Sequence, residues 1–249
     1  YGSKRRTSVE NAEEAVYEEK KMEEMEICFL MDRFGYMKLI DKNAYERNKE
    51  AVHNENKYVF NCMNTDKICI FTDTGKMHTI KAVDIPLGRF RDKGTPVDNL
   101  SNYDSSQERM LYVAPVGQLR SDRLLFVTKT SMCKLVEGAE FDVAKRTIAS
   151  TKLADEDELI FIGSASEMEQ IVLQSHGGCF LRFLTQEVST MKKTALGVRG
   201  MKLADDDYLE HAYLLAGHQE YTISYHDKEY ALNKVRLAKR DTKGIKPRI

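Results

Sequence analysis

Short apolar runs separated by turn residues recur along most of this chain. Ile27-Cys28-Phe29-Leu30-Met31 leads through Asp32-Arg33-Phe34-Gly35 into a second run, Tyr36-Met37-Lys38-Leu39-Ile40. The arrangement returns at 68–80 around Gly75 and at 124–136 around Ser131. A fourth copy spans 171–183 around Gly177-Gly178, and a weaker fifth spans 221–232 with Lys228 at the turn. Two strand-length runs flanking a glycine or polar residue predict a β-hairpin, because the tight turn needs a backbone free to adopt unusual φ. Phe29, Ile70, Phe126 and Leu173 lie inside these runs and are expected in the core.

Aligned on Gly35, Gly75, Ser131, Gly178 and Lys228, the hairpins stand 40, 56, 47 and 50 residues apart. Periods of this size, with several short strands per unit, indicate a propeller or a related radial array. A second repeat supports the first: Lys152-Leu153-Ala154-Asp155-Glu156-Asp157-Glu158-Leu159 is echoed by Lys202-Leu203-Ala204-Asp205-Asp206-Asp207-Tyr208-Leu209. The fold expected is all-β, with five or six four-stranded blades. One blade cannot hide its apolar face alone, so neighbours must stack and the ring must close. Residues 1–24 stand apart as a glutamate-rich leader, helical or flexible, and 25–249 are expected to form the propeller-like domain.

Composition changes this picture in two places. Five cysteines without a C-x-x-C pair, two of them in the apolar runs as Cys28 and Cys69, read as buried thiols in a reducing, cytoplasmic setting. No apolar run approaches a membrane span, and the start of the chain, without a methionine, suggests a piece of a longer protein. The formal net charge is −1, but it conceals a segregation. Stretches 85–100, 141–153, 186–203 and 234–249 carry +1, +2, +3 and +6, while the rest of 25–249 carries −11. An electrostatic footprint depends on such clustering more than on the total.

Several segments resemble a known family. Tyr1-Gly2-Ser3-Lys4-Arg5-Arg6-Thr7 is similar to the chain leaving the breakage-reunion domain of gyrase and topoisomerase IV A-type subunits. Lys93-Gly94-Thr95-Pro96-Val97-Asp98-Asn99-Leu100 and Leu196-Gly197-Val198-Arg199-Gly200-Met201 resemble recurrent loops of that family's C-terminal domain. The resemblance implies a β-pinwheel, whose strands swap between blades and whose basic rim wraps duplex DNA. It also implies two partners, an upstream breakage-reunion domain and an ATPase B-type subunit, with no membrane. The cleavage tyrosine belongs upstream, so no catalytic residue is expected here, and no cofactor either, with ATP and Mg used elsewhere in the parent enzyme. The family's supercoiling members carry a glycine-rich basic box after the first hairpin. The matching stretch 41–50 has no glycine, which leaves supercoiling and relaxing or decatenating parents both open.

Wrapping without sequence readout needs cations spread along an arc to meet phosphates. The candidate DNA-binding residues are Lys38, Arg47, Arg89, Arg91, Lys93, Lys145, Arg146, Lys192, Lys193, Arg199, Lys202, Arg236, Lys239 and Arg240. Most follow a hairpin by similar distances and so should fall on one edge of a ring. The acidic groups at 155–158 and 205–207 read as interblade turns, since calcium loops need a ligand spacing and glycine they lack. The six histidines show no metal-ligand spacing, and Gly177-Gly178 is a turn and not a phosphate loop. A protein-interaction propeller that ignores DNA is the alternative; an independent enzyme is a distant third.

Overall fold

The computed structural model describes residues 22–248, so residues 1–21 of the expected leader lie outside the described residues. Each hairpin forms where expected. They are β1 (Glu26–Met31) with β2 (Tyr36–Ile40), β4 (Lys67–Thr72) with β5 (Lys76–Lys81), and β8 (Arg123–Thr128) with β9 (Met132–Glu137). The fourth and fifth are β12 (Gln170–Ser175) with β13 (Phe180–Leu184), and β16 (Thr222–Tyr225) with β17 (Lys228–Ala231). The turns take positive φ at Gly35, Gly75, Ser131 and Gly178. In the fifth hairpin it is His226 and Asp227 that adopt it, at 51° and 59°, so Lys228 begins the returning strand and is not the turn residue.

A third strand follows each of the first four hairpins and pairs with its first strand. These are β3 (Tyr58–Met63), β7 (Met110–Pro115), β11 (Leu159–Ser164) and β15 (Leu209–Leu215). The fourth strand comes from beyond the next hairpin. The short strands β6 (Thr95–Pro96), β10 (Thr147–Ala149) and β14 (Val198–Arg199) pair with β2, β5 and β9. Ile245 bridges Phe180 in the same way, at the edge of the fourth sheet. Blades are therefore stitched in sequence, each by a strand from its successor. Strands β3, β7, β11 and β15 touch one another from blade to blade and so lie toward the axis. The exchanged strands form the opposite, outer edge.

The strands are apolar at successive positions because both sheet faces are buried. Phe29 and Met31 of β1 pack with Ile68 and Ile70 of β4, whereas Cys69 and Phe71 face Leu124 and Phe126 of the third blade. Leu125 and Val127 pack with Ile171 and Leu173, and Val172 and Phe180 with Leu232 and Val235. Phe29, Ile70, Phe126 and Leu173 are all at most 1% exposed. Cys28, Cys62, Cys69 and Cys133 are buried free thiols, and Cys179 is half-buried. The acidic segments are turns. Glu156 and Asp206 take positive φ, and Asp157 and Asp207 accept the N–H of Thr130 and Gly177 in the preceding hairpin turn, that of the blade their own strands complete.

Among the described residues there are five blades, the fourth with three strands and the last with two. Closure of the ring, expected from the apolar faces, is not made by strand exchange or shared core among the described residues. The reason lies after the first hairpin. Where the other blades send out a short strand, this one forms helices α1 (Lys42–Arg47) and α2 (Lys49–Glu55). Asp41 caps α1 by accepting the Ala44 N–H at 2.8 Å, and Val52 of α2 packs on Cys28, Leu30 and Ile40. The outer face of the first blade is thus covered by its own helices and not by the fifth blade.

Candidate nucleic-acid interface

Loops 85–94, 142–146, 188–197 and 235–244 each lead to an exchanged contact at the outer edge, and they carry most of the candidate cations. Three of them are equivalent residue by residue, because their backbones bond alike to the sheet below. Gly88 N–H donates to the Leu39 carbonyl, Met191 N–H to Leu135 and Ala238 N–H to Arg182. The next positions along the loops are therefore Arg89, Lys192 and Lys239, all exposed. Loop 142–146 is a shorter version whose Lys145 and Arg146 are also exposed.

The adjacent position behaves differently. Lys193 and Arg240 are half-buried and turned inward. Lys193 Nζ donates to the Glu140 carbonyl at 3.1 Å, and its N–H donates to the Glu140 carboxylate at 3.1 Å. Arg240 repeats both bonds on Glu187, with Nε to the carbonyl at 3.0 Å and N–H to the carboxylate at 2.9 Å. Burial raises the Glu140 carboxyl, but the bonds from Lys193 and Lys192 outweigh it and hold the group below the usual range. Each glutamate belongs to the short helical turn after its hairpin and clamps the following loop. The first blade has no such turn, and Phe90 fills the place against Tyr45 and Val59.

The remaining candidates divide similarly. Arg91, Lys93, Lys202 and Arg236 are exposed beside or within these loops, as is Arg47 on α1. Lys93 Nζ lies 4.6 Å from the Tyr36 ring. Arg146 donates to the Leu100 carbonyl at 3.1 Å, and Arg199 pairs with Asp241 at 2.5 Å across the edge of the third blade. Lys38 is half-buried, and its ammonium contacts the carbonyls of Phe90 and Asp92. A groove of about 1060 Å³ runs between the loops of the third and fourth units, with Lys145, Lys152 and Lys193 around an apolar floor of Val143 and Ile148. Sequence reasoning missed Lys243, the exposed counterpart of Lys93, and the clamping glutamates. Aligning the loops on Gly94, Gly197 and Gly244 would have paired Lys93 with Lys243. The glutamates stand too far from the loops in sequence to be associated without the fold.

Among the described residues, no group of three or more His, Cys, Asp or Glu side chains could hold a metal ion. No described helix is long and apolar enough to cross a membrane.

The family described as DNA gyrase C-terminal domain, beta-propeller, matches residues 66–105, 122–166 and 169–216. The A subunit of DNA gyrase from Clostridium acetobutylicum is 27% identical over 211 residues, which cover 80% of this chain and 25% of that protein. Its counterpart from Ureaplasma parvum serovar 3 is 24% identical over 262 residues, covering 98% and 31%. This chain thus spans a quarter to a third of the length of these relatives. Among solved structures, the C-terminal domain of a DNA topoisomerase IV superposes with a TM-score of 0.78 at 21% identity, covering 90% of this chain and 73% of that one. A DNA gyrase A C-terminal domain gives 0.59 at 18% identity, covering 89% and 76%. At these identities the structures speak for the fold.

Proposed function

Since the chain belongs to the DNA gyrase C-terminal domain β-propeller family, we propose that it is the non-catalytic DNA-wrapping part of a type IIA topoisomerase A-type polypeptide. In this reading the leader 1–24 joins it to an upstream breakage-reunion domain, and the parent enzyme works with an ATPase B-type subunit. ATP and magnesium are used by those other parts.

The observation that carries the reading is the recurrence of an exposed cation at one loop position, Arg89, Lys192 and Lys239, on the outer edges of the first, third and fourth blades. A duplex following that edge meets a cation at each blade, with Lys145 and Arg146 at the intervening one. Such an arc addresses phosphates and reads no base. The proposed contacts are these residues with Arg91, Lys93, Arg199, Lys202 and Arg236, and with Arg47 near the start of the arc. Lys38, Lys193 and Arg240 serve the same interface from behind, by holding the loops. The stretch where supercoiling relatives carry their glycine box is α1 and α2 here, so the reading extends to relaxing and decatenating parents as well as to gyrase.

The test is duplex binding across about 50–200 mM salt together with ring closure of short DNA. Contacts to roughly 6–10 phosphates make affinity fall by about three to five orders of magnitude over that range. Replacing Arg89, Lys192 and Lys239 by alanine should lower the slope of log K against log salt by about 3. An unchanged slope in a folded triple variant would defeat the rim assignment. Absence of binding at low salt would favour a protein-interaction propeller.

A further inference from the structure

Lys134 lies on β9 with 1% of its surface exposed. Its ammonium has carbonyl oxygens for partners: Nζ donates to Lys193 at 2.8 Å and to Ala195 at 2.7 Å, and lies 5.7 Å from the centre of the Phe126 ring. Both carbonyls belong to loop 188–197, beside the exposed Lys192. The first blade repeats the device. Lys38 pairs across its hairpin with Leu30 as Lys134 does with Phe126. Its ammonium contacts the carbonyls of Phe90 and, at 2.6 Å, Asp92. Phe90 and Asp92 are the loop counterparts of Lys193 and Ala195. In the second blade His78 takes the place and reaches Thr147 of β10 at 3.0 Å, while in the fourth the place is held by the apolar Leu181.

A buried ammonium is costly, and an apolar side chain of similar length would fill the same volume. What the lysine adds is a tie on two carbonyls of a loop that has no regular structure. We propose that Lys134 and Lys38 are positioning residues of the DNA rim, each fixing one basic loop so that its exposed cations meet the duplex in a single arrangement. A loop ordered beforehand loses less freedom on binding. The inference rests on the DNA-wrapping reading above. Burial also brings the Lys134 ammonium down to about 8, opposed by the charge of Glu140. Glu140 in turn pairs with Lys192 and accepts the Lys193 N–H on the loop. Raising the pH from about 7 to about 9 therefore removes the buried proton while exposed lysines stay charged.

The experiment compares the wild-type chain with Lys134→Met and Lys38→Met. Duplex binding is measured against salt and pH, and amide exchange is followed in loops 188–197, 85–94 and 235–244. Lys134→Met should bind roughly tenfold more weakly. Its salt slope should drop by more than the roughly 0.9 expected of a single phosphate contact, although Lys134 itself touches no phosphate. Exchange should quicken in 188–197 and stay unchanged in 235–244, where Leu181 stands at the equivalent place. The wild-type affinity should fall between about pH 7 and 9, and that of the variant should be flat. A folded Lys134→Met with an unchanged salt slope overturns the role, even if it is less stable. If Lys134→Met does not fold, the half-exposed Lys38→Met decides on loop 85–94 by the same slope and exchange. Faster exchange with intact DNA binding overturns the positioning role alone. A wild-type chain that ignores duplex at low salt overturns the wrapping reading and this role with it.

Discussion

His78 and Glu108 meet at 2.7 Å with side chains 2% and 4% exposed. Thr74 donates to the other carboxylate oxygen at 3.0 Å, and Thr147 sits 3.0 Å from the second ring nitrogen. Burial pushes the Glu108 carboxyl up, but the bonds with Thr72, His78 and Thr74 outweigh it and hold it below the usual 4.5. A carboxylate depressed in the folded state contributes stability that is complete above its unfolded pKa. That contribution is lost as pH falls through the folded value. Melting temperature should accordingly fall as the solution is acidified below about pH 4.5, and Glu108→Gln should show less of that fall. Truncation is harsher, because it strands a buried imidazole beside two threonines. Glu108→Ala should cost about 3 kcal/mol in urea denaturation, and a cost near zero would show that the cluster tolerates an empty place.

Hairpins were legible from the sequence because each needs only local information: two apolar runs and a residue able to take positive φ between them. Strand exchange was expected from the family resemblance, but which residues exchange was not legible. Thr95–Pro96 and Val198–Arg199 are two residues long and owe their pairing to partners far away in sequence. Gly94 and Gly197 mark them after the fact, with φ of +85° and +107° and a virtual Cβ 2.6 Å from the carbonyls of Met37 and Cys133. Helices α1 and α2 were missed because stretch 41–50 was compared only with the family's glycine-rich box and not read for helical spacing. The signals were an Asp41 cap and Ala44, Tyr45, Asn48 and Val52 at helical spacing, with one buried residue, Val52, among them. The basic rim was legible as periodic charge, yet its division into exposed and loop-holding cations depends on glutamates in the preceding blade. Since α2 stands on Val52, Val52→Ala should cost about 2 kcal/mol. It should also speed amide exchange across 42–55.

At the scale of the whole molecule, the exchanged strands couple every blade to the next. Repeat proteins whose units touch only across interfaces can unfold from their ends. Here the fourth sheet is completed by Ile245, beyond the fifth hairpin, and the first by Thr95–Pro96, beyond the second. Urea transitions followed by far-ultraviolet dichroism and by tyrosine fluorescence should therefore coincide. Separated midpoints would show blades melting singly. The same stitching governs how the chain is made. When the ribosome has released the first hairpin, to Ile40, the strand that completes its outer edge at Thr95 has yet to be translated. At about 5–20 residues per second that wait lasts roughly 3–11 s. It recurs at each later blade, so the growing chain always presents one unfinished sheet edge at its young end. Synthesis from the N-terminus makes the helical cover of α1 and α2 available early, on the face that no later blade arrives to protect.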